Sequence, residues 1–120
     1  MSSNFLIIDN VPAVITYDPE LEMLRGEFVG LNGGADFYAN DVEGLKREGK
    51  ISLDIFVEAC KEDGVTSFRI YSGKFQVRVG SKIHKSITMA AKKSGRSINS
   101  WIVEALKKEA AEELGDKVAR

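Results

Sequence analysis

A short alternating segment, residues 74–79, constrains the fold of this chain more than any other feature. Apolar and polar side chains alternate through it: the apolar set is Phe75, Val77 and Val79, and the polar set is Lys74, Gln76 and Arg78. This period of two is typical of a β-strand with one buried face and one face in water. A strand that stands alone leaves backbone donors and acceptors unpaired at its edges. We therefore expect it to pair with the same strand of a second copy, which makes a two-stranded ribbon and a homodimer.

The polar face of such a ribbon carries groups that can read bases in a DNA major groove. Arginine forks onto the N7 and O6 acceptors of guanine, glutamine pairs with N7 and N6 of adenine, and lysine donates to guanine. We predict that the base-reading residues are Lys74, Gln76 and Arg78. The strand pattern alone would equally suit the solvent face of an ordinary sheet.

Two amphipathic helices are predicted after this strand. Ser81 is expected to cap the first helix, and Gly95 to close it in a left-handed conformation. Ser97 is expected to cap the second. Their apolar stripes are Ile83, Ile87, Ala90 and Ala91, followed by Ile98, Trp101, Ile102, Ala105 and Leu106. Together with the strand they predict a shared dimer core of Phe75, Val77, Val79, Ile83, Ile87, Ile98, Trp101, Ile102 and Leu106.

The beginning of the second helix is a candidate anion site. Backbone N–H groups near Ser97, Ile98 and Asn99 are not used inside the helix, and the helix dipole favours a negative charge there. Three nearby cations would add attraction to phosphates: Lys92, Lys93 and Arg96.

The first half of the chain predicts a small antiparallel sheet covered by one helix, so the whole chain is expected to be α+β. The expected strands are 14–17, 24–31 and 35–39, with a hairpin turn at Asn32-Gly33-Gly34. The helix should begin after Asn40 or Asp41 and end near Gly64. Its apolar stripe is Val42, Leu45, Gly49, Leu53, Phe56, Val57 and Cys60. We expect the helix to bend or restart at Gly49, because glycine is unfavourable inside a helix.

Charge divides the chain into two parts. Residues 1–68 carry five Lys/Arg and thirteen Asp/Glu, or 5 − 13 = −8, while residues 69–120 carry twelve and five, or 12 − 5 = +7. We therefore predict two domains, 1–68 and 69–120, of which the basic one contacts a polyanion. The alternative is that the two clusters simply attract each other. The single cysteine, Cys60, and the lack of a long apolar run favour a cytoplasmic protein that does not enter a membrane.

Residues 73–110 resemble the ribbon-helix-helix repressors of the Arc and MetJ kind. The strand Phe75-Gln-Val-Arg-Val79 and the turn Gly95-Arg-Ser-Ile-Asn-Ser100 carry the resemblance. It implies that the outward strand residues read operator DNA and that the start of the second helix grips a DNA phosphate. The chain departs from this family at Gly80, where a proline is often found.

The layout of residues 11–110 resembles the HicB antitoxins that carry a ribbon-helix-helix tail. The matching pieces are Tyr17-Asp18, Gly26-Glu-Phe-Val-Gly-Leu31, Phe37-Tyr38, Asp41-Val-Glu-Gly-Leu45 and Tyr71-Ser-Gly-Lys-Phe75. This resemblance implies that residues 1–68 are a truncated, inactive RNase H-like domain that covers a HicA-like toxin, a small basic ribonuclease. Residues 69–120 would then bind the operator of their own operon, as a dimer or as a tetramer formed by two dimers. At Gly49 family members usually carry a large apolar residue.

Two other functions are compatible with the sequence. One is a solitary transcription regulator whose N-terminal domain senses a small ligand or a protein. The other is a small metal-dependent nuclease, which would need several converging carboxylates. Its candidates, Asp9, Asp18, Asp36 and Asp41, lie mostly at predicted strand ends and turns, where aspartate is usually solvated. We therefore expect no catalytic residue, metal or cofactor.

Overall fold

The computed structural model describes residues 4–115 and has an α+β architecture, as predicted. The chain forms two compact units that divide between Ser72 and Gly73. This division falls slightly beyond the boundary expected after residue 68, because residues 67–69 are hydrogen-bonded to the first unit. Asn32 N–H donates to Ser67 O (2.8 Å), and Arg69 N–H donates to Gly30 O (2.9 Å).

The first unit contains a four-stranded antiparallel sheet in the order β1-β2-β3-β4. Its strands are β1 (Phe5–Ile8), β2 (Val11–Asp18), β3 (Met23–Phe28) and β4 (Asp36–Ala39). The sequence interpretation included the last three and missed β1. The signal was available, because Asp9 and Asn10 form a two-residue turn with φ angles of 49° and 68°. Aspartate and asparagine tolerate such angles, which match the twist of a hairpin.

Helix α1 (Val42–Asp63) covers one face of the sheet. Asp41 caps it by accepting a hydrogen bond from Gly44 N–H (2.7 Å), and Gly64 ends it in the left-handed conformation with φ 70°, both as predicted. The core between helix and sheet includes Val11, Ala13, Phe28, Phe37, Leu45 and Leu53. The rings of Phe28 and Phe37 lie 4.9 Å apart, centroid to centroid. Cys60 is buried, in agreement with its expected place in the core.

Two expectations for the first unit were wrong. The second expected strand, 24–31, ends at Phe28, and Leu31 forms only an isolated bridge with Phe68. Helix α1 runs without interruption through Gly49, which is buried. A Cβ atom at Gly49 would overlap Ile8 Cδ1 and lie 3.0 Å from Phe37 Cε2. Glycine is therefore the residue that lets α1 approach the sheet at this point, and it does not break the helix.

The second unit contains α2 (Gly80–Lys93) and α3 (Ile98–Leu114). The turn between them has the predicted form, with Gly95 at φ 68° and with Arg96 N–H donating to Ala91 O (2.9 Å). Ser97 caps α3 by accepting a hydrogen bond from Ser100 N–H (3.0 Å). The cap expected at Ser81 was wrong. Helix α2 begins at Gly80, two residues before the start that a cap at Ser81 would give, and its N-cap residue, Val79, makes no side-chain capping hydrogen bond.

Candidate nucleic-acid interface

The segment predicted to form the ribbon is exposed in the single chain. Residues 74–79 form no regular strand within the part of the chain that the structure describes. Phe75 retains 76% of its accessible surface and Val77 retains 64%. The strand and its pairing with a second chain therefore stay predictions.

The helices that follow have almost no core of their own. Across residues 73–115, Ala91 is the one buried residue. The apolar stripe expected on α2 is only partly buried in a single chain: Ala91 is buried, Ile87 and Ala90 are half-buried, and Ile83 retains 52% of its surface. On α3, Ile98 and Leu106 are exposed, while Trp101 and Ile102 are half-buried. The nine residues predicted as a dimer core thus form a largely uncovered apolar surface in this unit.

The turn before α3 brings cations next to a capped helix N-terminus. Lys92, Lys93 and Arg96 are exposed and lie within five consecutive residues that end one residue before the cap. The hydroxyl oxygen of Ser97 accepts a hydrogen bond from Ser100 N–H, so it already has a structural role. The N–H groups of the first helical turn, at Ile98 and Asn99, lack carbonyl partners inside any helix. This arrangement can attract a phosphate.

Two substitutions of Ser97 separate capping from phosphate binding. Ser97→Ala removes the cap and should lower the free energy of unfolding by about 1 kcal/mol. Ser97→Asp keeps a capping oxygen but places a negative charge at the proposed phosphate site. We expect the Asp variant to melt near the wild-type temperature and to bind DNA about tenfold more weakly or worse, since a hydrogen bond to a charged group contributes about 1.5–3 kcal/mol. Thermal unfolding and DNA titration measure the two effects, and wild-type DNA affinity in the Asp variant would place the phosphate elsewhere.

Each of the four aspartates considered for metal chemistry makes a hydrogen bond or an ion pair within the first unit. Asp18 accepts hydrogen bonds from Glu20 N–H and Leu21 N–H in the β2–β3 turn. Asp9 pairs with Lys50, Asp36 pairs with Arg25, and Asp41 caps α1. Across residues 4–115, no three His, Cys, Asp or Glu side chains lie close enough together to hold a metal ion.

A comparison with protein families supports part of this picture. Residues 56–106 match the model of the HicB family. The match begins in the last two turns of α1, crosses residues 74–79 and ends within α3, so it includes the candidate interface. It supports a relationship to the HicB family over this part of the chain. No curated protein and no solved structure gave a significant match.

None of the helices between residues 4 and 115 combines the length and the apolar character needed to cross a bilayer.

Proposed function

We propose that this chain is an antitoxin that neutralises a HicA-like ribonuclease toxin and, as a homodimer, binds its own operator to repress transcription. In this proposal residues 73–115 contain a ribbon-helix-helix dimerisation and DNA-binding domain. The first unit, an RNase H-like remnant, binds the toxin. The match of residues 56–106 to the HicB family is consistent with the antitoxin role.

The observation that carries the proposal is the uncovered apolar surface of the second unit. Large apolar side chains that protrude into water, such as Phe75 and Val77, are unfavourable unless a partner covers them. A second copy supplies the matching surface: each strand pairs with its equivalent, and the apolar faces of both strands meet the four helices. Lys74, Gln76 and Arg78 then project from the opposite face of the ribbon, where base edges can be reached.

The toxin-binding role rests on charge and on an exposed face of α1. The first 68 residues carry a net charge of 5 − 13 = −8, which suits a partner that binds RNA and is therefore basic. Ile51 and Ile55 are exposed on α1, and Glu58 and Glu62 lie on the same side of the helix. Apolar side chains with acidic neighbours form the kind of surface on which a basic protein can dock.

Operator binding is tested with a duplex taken from just upstream of the gene. We expect the wild-type protein to prefer it over scrambled DNA by about a thousandfold or more. Arg78→Ala should abolish this preference without changing the fold, because Arg78 is exposed. Lys107→Ala, on α3, removes the same charge from the same unit and should keep the preference. Equal, weak and strongly salt-dependent binding to both duplexes would contradict sequence readout and leave only electrostatic attraction.

Toxin neutralisation is tested by co-expression. If a small basic protein is encoded beside this chain, its expression alone should arrest growth, and co-expression of this chain should restore growth. Ile55→Lys, which changes an exposed residue of the acidic face, should weaken the complex and leave operator binding intact. A lone gene, with no such neighbour, would favour the solitary regulator instead.

A further inference from the structure

The two helices of the second unit carry opposite net charge. Helix α2 has four lysines and no Asp or Glu, so its net charge is 4 − 0 = +4 with His84 neutral. Helix α3 has two lysines and four glutamates, so its net charge is 2 − 4 = −2. The positive charge of α2 is therefore a property of this helix and is not shared by its neighbour.

The four lysines lie together on one face of α2, which we call the basic face. Its members are Lys82, Lys85, Lys92 and Lys93, and all four are exposed. Successive residues of a helix are about 100° apart, which places these lysines opposite the covered side of α2, where Ala91 is buried and Ile87 is half-buried. From Lys82 to Lys92 the helix rises by about 15 Å. The basic face thus runs along most of α2 and points into solvent.

No carboxylate neutralises the basic face within residues 4–115. The ion pairs found in this part of the chain include none of its four lysines. The arrangement is also unfavourable for the helix itself, because Lys82 lies in a first turn without acidic residues, where a cation opposes the helix dipole. Lys82 and Lys85 are moreover like charges three residues apart. A solvated helix face commonly alternates the two signs of charge, so this composition indicates a negatively charged partner.

Both ends of α2 adjoin residues that are predicted to contact DNA. At its beginning, Lys82 follows Arg78 by four residues, a length of chain that spans at most about 14 Å. At its end, Lys93 lies three residues before Arg96, in the turn that leads to α3. If the strand and the turn contact one duplex as proposed, α2 is held close to that duplex at both ends.

From the unneutralised basic face we infer that Lys82 and Lys85 bind DNA phosphates and extend the phosphate-binding surface along α2. The inference rests on the proposed operator binding and adds a contact to it. Each strand of a duplex presents one phosphate per about 3.4 Å of the axis, so a face about 15 Å long can meet about four phosphates. Such contacts carry no sequence information. They add affinity that falls steeply as salt rises.

The experiment titrates the full-length protein with the upstream duplex and with scrambled DNA, from about 50 to about 200 mM salt. The test variant combines Lys82→Gln with Lys85→Gln, since lysine and glutamine have similar helix propensities. The slope of log K against log salt concentration should flatten by up to about 3.6 per dimer, or about 0.9 for each of the four lysines removed. Over this range the wild type should then lose roughly a hundredfold more affinity than the variant. The preference for the upstream duplex should not change.

Two further double variants serve as controls. Lys107→Gln with Lys108→Gln removes the same number of charges from α3 and should keep the wild-type slope, because these lysines lie among glutamates. Lys82→Arg with Lys85→Arg keeps the positive charge of the basic face and should also keep the wild-type slope. Thermal unfolding of each variant shows that the second unit is still folded.

An unchanged slope in the variant with glutamine at positions 82 and 85 would overturn the inference, as would an equal change in the α3 control. Loss of the preference for the upstream duplex in the same variant would also overturn it, because phosphate contacts do not select a sequence. A hairpin RNA is titrated in parallel, and a requirement for the two lysines with RNA but not with DNA would make RNA the partner instead.

The outcome for the wild type separates this inference from the proposed function. Wild-type binding without preference for the upstream duplex would refute operator readout, whereas the effect of the two lysines on the slope could still be measured with either duplex. A wild-type protein that binds neither duplex would refute both.

Discussion

Phe75→Asp should abolish operator binding and release the second unit from its dimer. Phe75 is the most exposed apolar side chain of the predicted strand, and the proposed dimer buries it twice, once in each copy. Loss of a buried phenylalanine costs about 3–5 kcal/mol, and a buried unpaired carboxylate adds a further penalty. Operator affinity should fall below detection, and amide exchange of α2 and α3 should become rapid. Gel shift and hydrogen exchange measure these two effects.

Gln76→Asp is the matched control for this experiment. It introduces the same residue one position away, on the face predicted to read bases. We expect it to keep the protected amides of the second unit and to lose operator binding through repulsion of DNA. The reverse pattern, with Gln76→Asp dissociating the ribbon and Phe75→Asp leaving it intact, would show that the register is shifted by one residue, since such a shift exchanges the two faces of a strand.

Gly49→Leu should unfold much of the first unit at temperatures where the wild type is stable. The new side chain would overlap Ile8 and press on Phe37, which is buried. Overpacking of a core costs about 1–3 kcal/mol and occasionally more. In a unit of this size that corresponds to a fall in Tm on the order of 10 °C. Gly34→Leu is the matched control, because a Cβ atom at Gly34 would meet no atom within 4 Å.

A double substitution tests the cause of this effect. Ile8→Ala alone leaves a cavity and should cost about 2–5 kcal/mol. Combined with Gly49→Leu, it makes room for the new side chain, so the double variant should be more stable than the sum of the two single effects by about 1–3 kcal/mol. If the losses of stability of the two single variants simply add, Ile8 does not occupy the space that a side chain at position 49 would need.

Helix caps and turns were predictable from the sequence, because each depends on only one or two residues. The caps at Asp41 and Ser97 and the left-handed glycines at Gly64 and Gly95 each follow from the preference of one residue type for one backbone position. The strands β2, β3 and β4 followed from short apolar patterns between turn residues. The α+β class followed from these elements together.

Features that depend on distant contacts were not predictable in this way. Gly49 looked like a helix breaker because its role is set by Ile8 and Phe37, which lie far away in the sequence.

Other features were missed although their signals are local. Strand β1 was missed although Asp9-Asn10 gives a clear hairpin signal. Ser81 is not the cap because Gly80, with φ 84°, already belongs to α2. For the candidate interface, the base-reading and phosphate-binding roles of its residues stay predictions, since they depend on molecules other than this chain.

The scarcity of buried residues between Gly73 and Gly115 has a consequence for gene dosage. If this half of the chain is folded only when two copies meet, and if the chain is a repressor as proposed, the amount of active dimer grows with the square of the chain concentration at low levels. A cell with few copies would then hold mostly unfolded, protease-accessible tails and an active promoter. A modest rise in synthesis would switch transcription off steeply. Cooperativity of this kind needs no small-molecule signal, because the threshold is set by the dissociation constant of the dimer alone.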